Sequence, residues 1–240
     1  MADLETYVEN VRLRVRESNN SPANDMGDSA YQDFVRSAIN RYSIDRPRHI
    51  VSESTGTGQK YYTVSTILPS FVEGFSRITH IEAIGAIVAN KELPNYIERD
   101  DWDYYRDSVG LRLLFKRHQP DTSETIRIEY TVLHTINKLD SATEDTIPVF
   151  DVPAIYYYAA SEALKSLAAK YTSVNDPTIR ADIVNYRSKS RESSERAKDY
   201  LTEYENWLKE TDIPISVTRQ IETGFSFGIE QPFLTHKTNL

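Results

Sequence analysis

Cysteine is absent from the 240 residues, which excludes thiol catalysis, disulfide stapling and cysteine metal sites and fits a reducing compartment. Long apolar runs are missing too: the most apolar stretch, residues 83–89, is far too short to cross a bilayer. There is no basic excess. The 28 Lys and Arg face 36 Asp and Glu, a formal net charge of −8. That argues against a protein that grips nucleic acid through its phosphates, though not against one that stands near DNA without holding it. Internal repeats and low-complexity segments are absent. The opening Met-Ala-Asp-Leu-Glu-Thr-Tyr is polar and acidic, unlike a signal peptide. The expectation is a soluble intracellular protein without a membrane partner.

Tyrosine, in contrast, is abundant at 16 residues, which suits half-buried surfaces such as interfaces, although strands alone account for many of them. The ends of the chain read as helical. Leu4, Val8, Val11 and Val15 form one stripe over residues 3–18. After a loop at 18–25, a helix from Asp28 or Ser29 buries Tyr31, Phe34, Val35, Ala38, Ile39 and Tyr42 and ends before Pro47. The period then changes from 3.6 to 2. Residues 60–67, 77–84, 111–115 and 125–134 are strand candidates for a small, mainly antiparallel sheet spanning about 48–137, packed on one face.

Helical spacing returns at 151–210. Asp151 is placed to cap a helix with Pro153 in its first turn and with Ile155, Tyr158, Ala159, Ala163, Leu164, Leu167, Ala168 and Tyr171 on its buried side. A second helical pattern runs from Thr178 to Leu208, about 30 residues and so roughly 45 Å. Its apolar stripe is thin and centred on Ser and Ala. Either this helix is solvated and held by i,i+4 ion pairs, or it packs on neighbouring subunits through Tyr186, Ser190, Ala197 and Leu201, and the second reading is the expectation. Beyond it, Ile221, Phe225, Phe227, Ile229, Phe233 and Leu234 lie in a tail without a helical stripe. That tail reads as an extended arm docked on a partner. The fold expected is therefore α+β: a helical bundle from residues 3–47 and 146–210, an inserted β domain at 48–145, and a C-terminal arm at 211–240.

Catalytic signatures are scarce. Gly56-Thr-Gly58-Gln-Lys60 lacks the glycine spacing and the Lys-Ser/Thr pair of a phosphate loop and precedes a strand, so it reads as a turn. No Gly-x-Ser-x-Gly is present. The histidines at 49, 80, 118, 134 and 236 form no His-x-x-x-His, and only His80 with Glu82, on one strand face, hints at a metal. Residues 98–107 concentrate carboxylates around aromatics. They read as a solvated loop with Trp102 packed on the sheet, or, in an enzyme, as acid/base groups drawn from Glu98, Asp100, Asp101 and Asp103. No catalytic residue, metal or cofactor is expected.

Four segments in order carry a resemblance. They are Asp33 to Ser43 followed by Arg46-Pro47; Ser76-Arg-Ile-Thr-His-Ile-Glu82 with Leu93-Pro-Asn-Tyr-Ile97 and Trp102; Leu111 to Phe115 with Pro120 and Ile126 to Thr131; and Ile147-Pro148 with Pro153 to Ala168. Together they resemble the head-to-tail adaptor (connector) proteins of tailed bacteriophages across most of residues 3–209. The resemblance implies a non-enzymatic virion protein in the neck. It implies a ring, usually of twelve copies, beneath the portal protein, extending the DNA channel and offering tail or neck proteins a docking surface. The C-terminal arm would reach the portal. An acidic protein suits a channel through which genomic DNA slides without sequence-specific binding. Other ring proteins of the neck and tail, such as a stopper, a tail terminator or a tubular tail protein, share this profile.

Overall fold

The computed structural model describes residues 3–15, 26–85, 96–173 and 186–210. Both ends of the chain contribute helices to one hydrophobic cluster. Helix α1 (Leu4–Val15) supplies Tyr7, Val8 and Val11; α2 (Asp28–Asp45) supplies Tyr31, Val35, Ile39 and Tyr42. They close on α4 (Val152–Ser173), whose Ile155, Ala159, Ala163, Leu164, Leu167 and Tyr171 are all buried. The expected stripes on these three helices are therefore the buried faces, as i, i+3 and i+4 spacing requires. Phe34 and Tyr158 are only partly buried at the edge of this cluster.

Helix α5 (Tyr186–Glu210) lies along α4. Its approach is close because the residues between them are small. Ser190 Oγ donates to the Ala168 carbonyl at 3.0 Å, Ser161 Oγ donates to the Ala197 carbonyl at 2.8 Å, and Ser193 and Ala197 are buried. Ser190 and Ala197, expected against a neighbouring subunit, are thus covered by α4 of their own chain. Leu201 is half-buried, and Tyr186 opens the helix with its side chain outside the described residues. The outward face is charged, with an Arg191–Glu195 pair at 2.8 Å.

Among the described residues, two three-stranded antiparallel sheets lie between the helical ends, where the sequence suggested one. The first has the order β1-β6-β3, built from β1 (Arg48–Thr55), β3 (Ile78–Gly85) and β6 (Glu124–Val132). The second has the order β2-β5-β4, built from β2 (Tyr61–Thr63), β4 (Trp102–Arg106) and β5 (Leu111–Phe115). Ile126, Ile128 and Tyr130 of one sheet share a core with Tyr62, Trp102, Leu113 and Phe115 of the other. Alternation on β6 buries these residues and exposes Arg127.

Three elements differ from expectation. Residues 60–67 are not one strand. Pairing stops at Thr63, and Val64–Ile67 form a single helical turn, α3, closed by the Leu68 N–H on the Val64 carbonyl at 2.7 Å. That turn places Val64, Ile67 and Leu68 together in the core, which a period-2 strand could not do. Strand β1 was not foreseen; it has little apolar content and alternates only between half-buried and exposed positions at a sheet edge. Strand β4 was read as a loop; it is an edge strand with only Trp102 buried. The Gly56–Gly58 segment connects β1 to β2, with a bend at Gly58. Gly56 is required there because a Cβ would lie 2.0 Å from the Asp121 carbonyl oxygen. The arm residues from Ile221 to Leu234 lie outside the described residues.

The α4–α5 contact yields two opposed predictions for urea unfolding. Ala197→Leu overfills the seam and lowers stability by about 1–3 kcal/mol. Ser193 is fully buried, and its hydroxyl has no hydrogen-bond partner among the described residues. Ser193→Ala removes that unmet hydroxyl and raises stability by about 1–2 kcal/mol.

Candidate functional site

The densest set of buried polar groups lies where the end of α2, the connection 133–151 and the ends of α4 and α5 meet. Asp151 stands at the N-terminus of α4, and its carboxylate reaches back to α2. Its Oδ2 accepts from the Tyr42 hydroxyl at 2.6 Å and from Arg46 Nη1 at 2.9 Å. The carboxylate is buried and Arg46 mostly so, with side-chain exposures of 7% and 22%. A helix N-terminus favours an anion, so the dipole of α4 supports the charge that Arg46 neutralises. Arg46 also donates to the Leu208 carbonyl near the end of α5. One guanidinium therefore ties α2, α4 and α5. Burial, then the bond to Asp151, push the Tyr42 phenol well above its usual range, so it stays a donor.

His134 completes the junction. Its backbone N–H donates to Ser43 Oγ at 2.9 Å, its Nε2 lies 3.0 Å from the Arg46 carbonyl, and its Nδ1 lies 3.0 Å from the Thr146 carbonyl and 3.2 Å from Thr146 Oγ1. The ring also packs on Tyr42 at 5.0 Å between centroids. Burial depresses its pKa below the usual imidazole range, against the opposing pull of the two carbonyls. The neutral ring carries one N–H and so donates to only one of these two carbonyls. A second tie runs beside it: Tyr204 Oη donates to Asp45 Oδ2 at 2.6 Å, and Arg41 pairs with the same carboxylate at 3.0 Å. Asp151, Arg46, Asp45 and Arg41 each have a structural partner, and together they act as a clamp.

The carboxylates at 98–107 do not converge. Asp103 faces Lys116 at 3.4 Å, and the Tyr104 N–H lowers its pKa most. Asp107 accepts from Val109 and Gly110 N–H groups and pairs with Arg112 at 2.9 Å. Arg117 Nη1 lies 3.1 Å from Asp101 Oδ1, near enough for an ion pair but not aligned as a hydrogen bond. Arg99 covers the Trp102 ring at 3.9 Å. His80 and Glu82 are not joined to each other. His80 and His49 each meet Glu129, at 3.0 and 3.1 Å, while Glu82 pairs with Arg127 at 3.1 Å. Among the described residues no three His, Asp or Glu side chains are grouped to hold a metal ion.

Sequence reasoning missed what the junction presents at the surface. Val149 and Phe150 form a 3-10 turn with Asp151 and are 84% and 82% exposed. The turn is pinned from both sides, by the buried Asp151 and by Trp207, whose Nε1 donates to the Phe150 carbonyl at 3.0 Å. The available signal was an apolar pair between Pro148 and Asp151, outside any helical or strand period. On the other side of the end of α2, Ile44 is 64% exposed. No protein-family model matches the chain, and no curated protein matches it significantly.

Two predictions follow from the junction. Asp151→Ala strands Arg46 and costs about 3–5 kcal/mol in urea unfolding, whereas Tyr42→Phe, which keeps the ion pair, costs about 1.5–3 kcal/mol. For His134 the folded pKa lies below the unfolded value of about 6.5. Above pH 6.5 both states are neutral and the contribution of His134 is complete. As pH falls below about 6.5 the unfolded chain takes up a proton that the folded chain refuses, so stability falls until the folded pKa is passed. The stability difference between wild type and His134→Gln, measured in urea, therefore shrinks between about pH 7 and pH 5.

Proposed function

We propose that this chain is a structural, non-enzymatic protein of the virion neck: a ring-forming adaptor that joins the portal to the tail and extends the DNA channel. The observation that carries this reading is the closure of both ends of the chain into one helical core, with sheets strung between them. That is the order of elements on which the resemblance to phage adaptors rests. Two further features support it. The titratable clusters are consumed in structural pairs rather than aimed at a shared point. Helix α5 turns a charged face outward, and the acidic chain suits a channel wall past which DNA moves without sticking.

In this reading the portal binds the arm carrying Ile221, Phe225, Phe227, Ile229, Phe233 and Leu234, copies of the chain form the ring, and tail or neck proteins dock below. No helix among the described residues is long and apolar enough to cross a membrane.

Two measurements test the proposal. Electron microscopy of virions carrying a tagged chain should place density at the portal–tail junction; density elsewhere in the particle overturns the adaptor role and favours another ring protein of the tail. Deleting residues 221–240 leaves every described residue of both hydrophobic clusters in place. Circular dichroism should therefore stay native while co-sedimentation with portal is lost; retained portal binding refutes the arm assignment.

A further inference from the structure

The end of α2 separates two surfaces of opposite shape. On one side is the Val149–Phe150 knob, projecting from a turn fixed by Asp151 and Trp207. On the other is a cleft of about 280 Å³ lined by Ile44, Pro47, Gly74, Phe75, Arg77 and Thr131. Helical geometry sets them apart: Tyr42, which binds Asp151, and Ile44 differ by two residues and so by about 200° around the helix. The knob therefore cannot fill the cleft of its own chain.

Charge makes the two surfaces complementary as well. Trp207, which holds the knob, shares a face of α5 with Glu203 and Glu210, its i−4 and i+3 neighbours, and both are exposed. The cleft carries Arg77, which is exposed and forms no ion pair among the described residues. An acid-rimmed aromatic knob and a cation-bearing apolar cleft on one chain fit each other across two copies.

We propose that Phe150 of one copy seats in the Ile44–Phe75 cleft of the next, forming the subunit contact of the ring. This rests on the ring-forming reading above and names the surfaces that build it. A knob on one side and a cleft on the other make a heterologous contact. Each seated copy leaves its own cleft open for another, and the series ends only when the rotation closes. The pinned turn presents Phe150 with little ordering left to do on binding, as expected of an interface anchor.

Because the chain has no cysteine, engineered cysteines report this contact without background. Phe150→Cys and Ile44→Cys chains, mixed under mild oxidant, should give a mixed disulfide dimer in excess of either homodimer, and a chain carrying both substitutions should give a ladder of adducts. Phe150→Asp should weaken self-association, measured by light scattering, at least about tenfold. Circular dichroism confirms that each variant is folded. Homodimers in excess, or mixed yields no higher than those of a control pair Leu13→Cys and Val109→Cys, overturn the proposal. If wild-type and Phe150→Asp chains form rings equally well, the knob and cleft fall and the ring reading stands. If the wild-type chain stays monomeric both alone and with portal, both fall.

Discussion

A single carboxylate holds the molecule's distant segments in register. Asp151 is buried at the start of α4, and the groups that satisfy it, Tyr42 and Arg46, come from more than a hundred residues earlier in the chain. Burying a charge is costly unless it is paired and hydrogen-bonded, so α4 can start in the interior only if α2 ends where it does. Arg46 extends the same constraint to α5 through the Leu208 carbonyl. His134 extends it to the exit of β6 through Ser43 and the Arg46 carbonyl. The geometry of the helical ends and the placement of the sheets thus pass through one polar cluster.

The seam between α4 and α5 works by different physics. A helix of 25 residues with a charged outer face has little apolar area to bury. It is held by close approach instead. Serine and alanine let the backbones come near enough for Ser161 and Ser190 to bond carbonyls of the facing helix. Tyr200 and Arg196 add contacts to the Arg14 carbonyl at the end of α1, where helical carbonyls lack partners within the helix. Small residues in a long polar helix can serve a neighbouring subunit or a neighbouring segment of the same chain. Here Ser190 and Ala197 serve the latter.

Much of the fold was legible because periodicity is a local property. The stripe Leu4-Val8-Val11-Val15, the α2 face from Tyr31 to Tyr42, and the alternation in β5 and β6 all appear as buried faces. The misreadings fall where local pattern is weak or overruled. Three of the four residues of Val64–Ile67 are β-branched, yet the segment turns as a helix and brings Val64, Ile67 and Leu68 into one core. Strand β1 has almost no pattern of its own and is a strand because β6 offers it a ladder from Arg48 to Thr55. The polar junction was seen only in fragments, with Asp151 read as a cap, Tyr42 as core and His134 as an ordinary strand histidine.

The sequence by itself determined the mixed α+β class, the helical segments and the central strands, and it contains neither cysteine nor a phosphate-loop motif. These depend on composition and on spacing within a dozen residues. Only the tertiary structure decided that there are two sheets, that α5 spends its small residues on α4, that Asp151 reaches back to Tyr42 and Arg46, and that Phe150 is held outward. Those outcomes depend on which groups meet across long stretches of chain, where desolvation and hydrogen-bond satisfaction choose among arrangements that periodicity leaves equivalent.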